Sequence, residues 1–272
     1  MGLITITSDW GVNDHYSAAV KNKIYTYFPE AKIVEITHHV PAFDIGKAAY
    51  FLRNVYPHSP NGTVHIIGVN TIADKKSAHL IVSYCNQFFV GTDNGVFSLL
   101  FPKGEDPSGV YEIMEMQDHD SFTFPSRDLF AKIAARLASG IHPEELGKPT
   151  QILNHITPSL PIIRQEKTFD TQASYTEIVG EVTYIDRYEN VNTNIHQSLF
   201  NEWKSKFRHF EIFYGSNDSV DKISTAYSDV GIANPLALFA SDGFLQISMN
   251  QSKAASLLGI RKSTPIIVRF RN

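Results

Sequence analysis

Three short apolar, β-branched runs, Leu3 to Thr7, Lys32 to Ile36 and Thr63 to Val69, alternate with two stretches of helical spacing, and this alternation restricts the chain more than any other feature. β-α-β-α-β order implies a mostly parallel sheet with helices on its faces, because a parallel pair needs a long crossover between its strands. The first helix opens at Asp14, a good cap, and packs through Ala18, Ala19, Val20 and Ile24; the second opens at Asp44 and carries Ile45, Ala48, Ala49 and Leu52. Leu80 to Ser83 and Phe88 to Gly91 then pair as a hairpin, and Val110 to Met114 adds an edge strand. A further helix runs from a Ser126 cap through Leu129, Phe130, Ile133 and Leu137 to Gly140.

From Pro143 to about Ala173 prolines accumulate and apolar periodicity fades, the signature of a connection between domains. The expected domains are therefore residues 1–165, α/β, and residues 166–272, where short strands succeed one another from Tyr175 to Phe270. Two short helices, Leu199 to Phe207 and Lys253 to Leu258, interrupt those strands. So many short strands predict a small, mainly antiparallel β domain, a barrel or a sandwich.

A net charge of −4 and a pI near 6.2 give no general attraction to nucleic acid or to an anionic membrane. With Cys85 as the only cysteine, neither an intrachain disulfide nor a CxxC site can form. No run approaches the ~18 apolar residues of a membrane span, so a cytoplasmic protein is expected. GxGxxG, P-loop, GxSxG and HExxH patterns are all missing, and adjacent His38 and His39 point apart in an extended segment, which suits no single metal.

Two segments carry candidate chemistry. The first strand stops at Ser8, Asp9, Gly11, Asn13 and Asp14, and in an open α/β sheet ligands settle beyond the carboxyl ends of the strands. Carboxylates there suit a vicinal diol or an ammonium group, although a turn residue and a helix cap read as plainly. In the second domain, Asp186 ends a strand, and Asn190, Asn192 and Asn194 alternate with Val191, Thr193 and Ile195, which predicts a row of amides on one face. Amides both donate and accept, as an adenine edge requires; a hairpin with a solvated face is the other reading.

Together these stretches resemble the S-adenosylmethionine (SAM) hydroxide adenosyltransferase family, relatives of the chlorinases and fluorinases. The resemblance rests on SDWGVNDHY at Ser8 to Tyr16, ITHHVPAFDIGKAAYFL at Ile36 to Leu52, GTVHIIGV at Gly62 to Val69, VGTDNGVFS at Val90 to Ser98, RDLFAKIAARLASG at Arg127 to Gly140 and GEVTYIDRYENVNTNI at Gly180 to Ile195. It implies an α/β domain, a β-barrel and a homotrimer whose ligand lies between one subunit's first domain and its neighbour's second. SAM enters as substrate or ligand, with no separate cofactor, no metal, no nucleic acid and no membrane.

By position, the resemblance implies that Asp9 holds the ribose diol and that Asp14 and Asp186 meet the methionine ammonium group. Asn190 then falls on the adenine side, Tyr227 stacks on the base and Ser241 lies near the methionine carboxylate, with Tyr16 of the first motif also at the substrate. The reaction centre departs from the family. Asn70 stands for the Asp of a VDPGVG loop, Ser77 lies nearest its Arg, and Pro125 replaces the His of TFHGRD. Candidates for the chemistry are Asn70, Lys75, Lys76 and Ser126, the last resembling a halide-contacting serine of the fluorinase branch. Two expectations follow: a SAM or adenosine binder with impaired or altered turnover, or an active SAM-cleaving enzyme with a rebuilt site.

Overall fold

The computed structural model describes residues 2–71, 77–101, 104–115, 123–167, 174–215, 218–262 and 264–272. The chain divides into two compact units, Met1–Pro158 and Ser159–Asn272.

The first unit runs β1 (Leu3–Ser8), α1 (Tyr16–Tyr27), β2 (Lys32–Thr37), α2 (Ile45–Arg53), β3 (Val64–Gly68), β4 (His79–Tyr84), β5 (Gln87–Thr92), α3 (Val96–Leu100), β6 (Gly109–Ile113), α4 (Ala131–Ala138) and β7 (Gly147–Pro149). Its strands lie in the order β2-β1-β3-β5-β4-β6-β7. Only β2, β1, β3 and β5 are mutually parallel; β4, β6 and β7 join antiparallel, so the sheet is mixed rather than mostly parallel. The physical reason is the tight β4–β5 turn, where Cys85 and Asn86 both take left-handed backbone (φ 49° and 57°), the geometry that turns a chain straight back on itself. Because β6 pairs with both β4 and β7, the strand at Val110 is internal to the sheet.

Helices cover both faces. Ile4, Ile6, Val64 and Ile66 pack with Val20 and Ile24 of α1 and Ile133 and Leu137 of α4; Ile67, Leu80, Val82 and Phe89 pack with Ala48 and Leu52 of α2 and Phe97 of α3. Each fully buried aliphatic or Phe side chain contributes about 1.5–3 kcal/mol, so these two layers hold the sheet flat against its helices. Asp44 caps α2 as its sequence predicts, its Oδ1 accepting from Lys47 N at 3.0 Å. Asp14 does not cap α1: the cap position belongs to His15, which is itself right-handed helical and makes no capping bond. Ser126 is likewise no cap; it sits inside a π-helical turn, Ser126–Phe130, led by Pro125 and continuous with α4.

The second unit contains β8 (Ile162–Lys167), β9 (Ser174–Ile185), β10 (Val191–His196), α5 (Gln197–Lys204), β11 (His209–Phe213), β12 (Ser219–Val220), β13 (Pro235–Phe239), β14 (Phe244–Met249), α6 (Ala254–Leu257) and β15 (Pro265–Arg271). Strand order β12-β11-β15-β9-β10-β14-β13 is antiparallel throughout, and a bridge from Ile223 to Ala237 brings its two ends together into a nearly closed barrel. The long β9 makes this possible, since its first half pairs with β15 and its second half with β10.

Candidate functional site

In the first unit the candidate residues gather where β1 and β3 end. Asp9 follows β1 directly; its Oδ2 accepts from Phe43 N at 2.9 Å, and its other oxygen has no partner among the described residues. Phe43 is left-handed (φ 65°) and exposed, so the Asp9 carboxylate is what fixes this part of the loop after β2. A chain of hydrogen bonds, buried at Ser8 and His38 and exposed at Glu35, sets the rest. Ser8 Oγ lies 2.6 Å from His38 Nδ1, and His38 Nε2 lies 2.9 Å from Glu35 Oε1, which also takes bonds from Ser17 and Lys21 of α1. Ionised Glu35 only accepts, so Nε2 carries the proton and Ser8 donates to Nδ1. Lys21 and then His38 hold the Glu35 pKa down at about 2. Backbone bonds from Val40 N to Ser8 O and from Gly11 N to His38 O complete the clamp.

Aromatic side chains line the same end of the sheet. Trp10 stacks on His38 at 5.7 Å and meets Phe124 edge-on at 5.5 Å; Tyr16, at the start of α1, also meets Phe124 edge-on at 5.3 Å. Arg127 lies over Phe124 and is held bidentate by buried Asp128 at 2.5 and 2.7 Å. Asp14 is exposed just before α1. A Cβ on Gly68 would fall 2.4 Å from Trp10 Cζ2, so the indole closes over this glycine. Gly68→Ala is therefore expected to displace Trp10 at a cost of about 1–3 kcal/mol, read as a lower melting temperature with a shifted tryptophan emission. If both measurements match the wild type, the ring has more room than the contact implies.

Asn70 also takes left-handed backbone (φ 49°), which asparagine tolerates better than most residues. Asn94 Nδ2 clamps it, donating to Val69 O at 3.1 Å and to Asn70 O at 2.9 Å. Ser126 is fully buried, and its Oγ has no hydrogen-bond partner among the described residues. Lys75 and Lys76 lie outside the described residues. Pro125 and Ser126 enter the π-helical turn that Phe130 closes, so the serine is held on regular backbone.

In the second unit Asp186 and Asn190 form one motif. Asp186 Oδ1 accepts from Asn190 N at 2.8 Å, and its Oδ2 accepts from Asn190 Nδ2 at 2.9 Å, which closes the β9–β10 turn. Asn190 Oδ1 has no partner among the described residues. The predicted amide row is interrupted where β10 pairs with β14, the register jumping from Asn192 opposite Gln246 to His196 opposite Phe244 with extra residues on β10. Asn192 is buried against Gln246 Nε2, and Asn194 bonds Glu181 N and Ser159 O, so both amides are spent on the barrel. Tyr227 donates to Gln246 Oε1 at 2.9 Å; burial, then the Asp186 charge, raises its pKa. Ser241 sits exposed in the turn before β14. A cavity of about 420 Å³, lined by Glu211, Asp221, Lys222 and Leu236 among others, includes none of these residues. Among the described residues no group of three or more His, Cys, Asp or Glu side chains is arranged to hold a metal ion, and no helix is long and apolar enough to cross a membrane.

The two halves of this arrangement match known domains. The SAM hydroxide adenosyltransferase N-terminal domain matches residues 4–147, and the C-terminal domain of the same family matches residues 180–267. The chain belongs to the SAM hydroxide adenosyltransferase family. It is 26% identical to an (R)-S-adenosyl-L-methionine hydrolase of Methanocaldococcus jannaschii over 96% of this chain and 93% of that protein. Identity to a fluorinase of Nocardia brasiliensis is 21%, covering 98% and 96% of the two chains. An uncharacterised conserved protein of Thermotoga maritima has the same fold, with a TM-score of 0.82, 27% identity and coverage of 98% and 99%. Within the family frame, the sequence reading missed the Ser8–His38–Glu35 chain and the Asn94 clamp. The first had a faint signal in the ITHH motif, and the second in the Asp93-Asn94-Gly95 turn.

Proposed function

We propose that this protein binds S-adenosylmethionine and adenosine, and that it cleaves the sulfonium slowly, with water as nucleophile, to give adenosine and methionine. The observation that carries this reading is the Asp9 carboxylate, anchored through one oxygen and open through the other at the end of β1. A ribose diol is the ligand group that such an acceptor fits. Asp14 and Asp186 then take the methionine ammonium group, Asn190 Oδ1 accepts from the adenine amine, Tyr227 and Tyr16 flank the ligand, and Ser241 meets the methionine carboxylate. The relatives' name supports the (R)-sulfonium as the epimer used. The protein works in the cytoplasm as a homotrimer, each subunit's second domain completing a neighbour's site, and it needs no cofactor.

The chemistry asks little of the leaving group. As water attacks C5′, the C5′–S electron pair returns to sulfur and neutral methionine departs without an acid. Positioning and exclusion of bulk water supply much of the rate. An amide at Asn70 and a hydroxyl at Ser126 orient water, but Asn70, Ser77 and Pro125 replace the Asp, Arg and His of the family's reaction centre, so turnover slower than in the relatives is expected. A second reading has one observation behind it: the buried Ser126 hydroxyl, without a partner among the described residues, is a donor suited to a small anion.

One experiment separates these readings. The protein is incubated with each SAM epimer in water, then with chloride or fluoride, and the nucleosides are resolved by chromatography. Adenosine formed far more slowly than by the M. jannaschii relative in the same assay is the expected result. A halogenated nucleoside would favour the second reading, and failure to bind either SAM or adenosine would remove both. Sedimentation tests the trimer, which a monomer at micromolar concentration would contradict.

A further inference from the structure

His79 opens β4 and pairs directly with Thr92, the last residue of β5. Since β5 runs parallel to β3 and β1, this pair lies at the sheet end where Asp9 and Asn70 leave the strands. Hydrogen bonds keep it there: Asp93 N donates to Ala78 O at 2.8 Å, while the Asn94 side-chain amide holds Val69 and Asn70. The ring packs edge-on against Phe130 at 5.1 Å, one helical turn beyond Ser126. Helical side chains lean towards the helix N-terminus, so the Phe130 ring that meets the imidazole leans towards Ser126.

The hydrogen bonds also fix which nitrogen is free. Thr92 Oγ1 donates its only proton to Thr71 O at 2.8 Å, so at 3.1 Å from His79 Nδ1 it can only accept. Nδ1 therefore carries the ring proton, and Nε2 presents a lone pair with no partner among the described residues. Neither His38 nor His65 offers this, because both ring nitrogens of each are already bonded. We propose that His79 takes the proton of the attacking water. Burial lowers its pKa, with no charged group contributing, and so keeps the imidazole neutral and able to act as a base at neutral pH.

This rests on the reading that SAM is cleaved here. A water lone pair forms the bond to C5′, the C5′–S pair leaves on methionine sulfur, and the O–H proton passes to Nε2. The imidazolium then loses it to solvent, so that adenosine, methionine and one proton are released. Adenosine formation and calorimetric adenosine binding are measured side by side for the wild type, His79→Gln and Thr92→Val. His79→Gln is expected to lower kcat about 100-fold or more, with adenosine affinity kept within about threefold, and to erase the acid-side fall in the wild-type pH–rate profile. Thr92→Val keeps the imidazole but removes its orienting acceptor, and is expected to lower kcat by about tenfold without changing affinity. Equal rates in the wild type and His79→Gln, or binding by the wild type without any adenosine formation, would overturn the inference and leave the binding reading standing. A wild type that neither binds adenosine nor cleaves SAM would overturn that reading, and the inference with it. Should His79→Gln fail to bind because it does not fold, an unchanged kcat in Thr92→Val overturns the inference alone.

Discussion

Asp9→Ala is expected to weaken adenosine binding by at least about 100-fold while the melting temperature changes little. A diol donates two hydrogen bonds to a carboxylate, and at the lower bound of ~1.5 kcal/mol each for bonds to a charged group their loss comes to about 3 kcal/mol, a factor of about 100. The structural cost is small because Asp9 is only partly buried and its one internal bond goes to Phe43 N. That bond supports a left-handed Phe43, so a loss of about 1 kcal/mol in stability is expected from relaxation of the loop. Asp9→Asn keeps the shape and one acceptor oxygen and should fall between the two, near a tenfold loss, roughly half the free energy. Calorimetry with adenosine measures all three. Unchanged affinity in Asp9→Ala would place the diol elsewhere. Asp186→Ala is a less direct probe, because Asp186 also closes the β9–β10 turn through Asn190, and its loss mixes binding with folding.

The local signals in the sequence were dependable where one residue decides one contact. Asp44 caps α2, Gly140 takes the left-handed turn (φ 102°) that ends α4, and the three apolar runs before Asn70 become the parallel strands β1, β2 and β3. The hairpin expected between Leu80 to Ser83 and Phe88 to Gly91 also forms, and its Cys85-Asn86 turn of two left-handed residues reverses the chain, which is why the parallel alternation of the first three strands does not extend to the whole sheet. β8 was hidden for a different reason. Ile162 and Ile163 are both exposed, so the strand lacks the in-out period that marks a half-buried one, and the flanking prolines read as a linker.

The candidate site was half legible on the same grounds. Asp9, Asp186 and Asn190 stand beside turn signals within their own segments, and the structure places each at such a turn. The amide row failed because β10 carries extra residues against β14 between Asn192 and His196, and because Asn192 and Asn194 are each bonded within the barrel. Ser8, His38 and Glu35 come from different strands and a loop, and only the parallel pairing of β1 with β2 brings them together. His79 is one of eleven histidines in the sequence, and nothing nearby marks it. Its significance depends on Thr92, which reaches it through the antiparallel β4–β5 pair; the sequence predicts that hairpin but does not mark which side chains it sets opposite one another.

Lowering the pH from neutrality is expected to destabilise this fold well before its carboxylates titrate, and His65 is the main reason. The residue is fully buried in β3, stacked on Phe89 at 4.6 Å. Gln87 donates its amide to Tyr56 O and Ser59 O, so its Oε1 accepts from His65 Nε2 at 2.7 Å, and Thr5 donates to Nδ1 at 2.7 Å. Every polar atom of the ring is satisfied in the neutral form. Burial pushes its pKa down from 6.5 to about 4, so between these values the unfolded chain binds a proton that the folded chain does not. Stability is then full above pH 6.5 and falls as the pH drops towards 4, by about 3 kcal/mol at about 1.36 kcal/mol per pH unit. His79, lowered in the same direction by burial, adds to the loss. Glu35 acts later, because its contribution is present above pH 4.5 and is lost only as the pH falls through about 2. Urea unfolding of the wild type and His65→Phe across this range measures the effect. Phenylalanine can keep the stack on Phe89, so the variant is less stable at every pH for want of partners at Thr5 and Gln87, yet its stability should change much less between pH 6.5 and 4.5. Parallel curves for the two proteins would assign the acid sensitivity to another group.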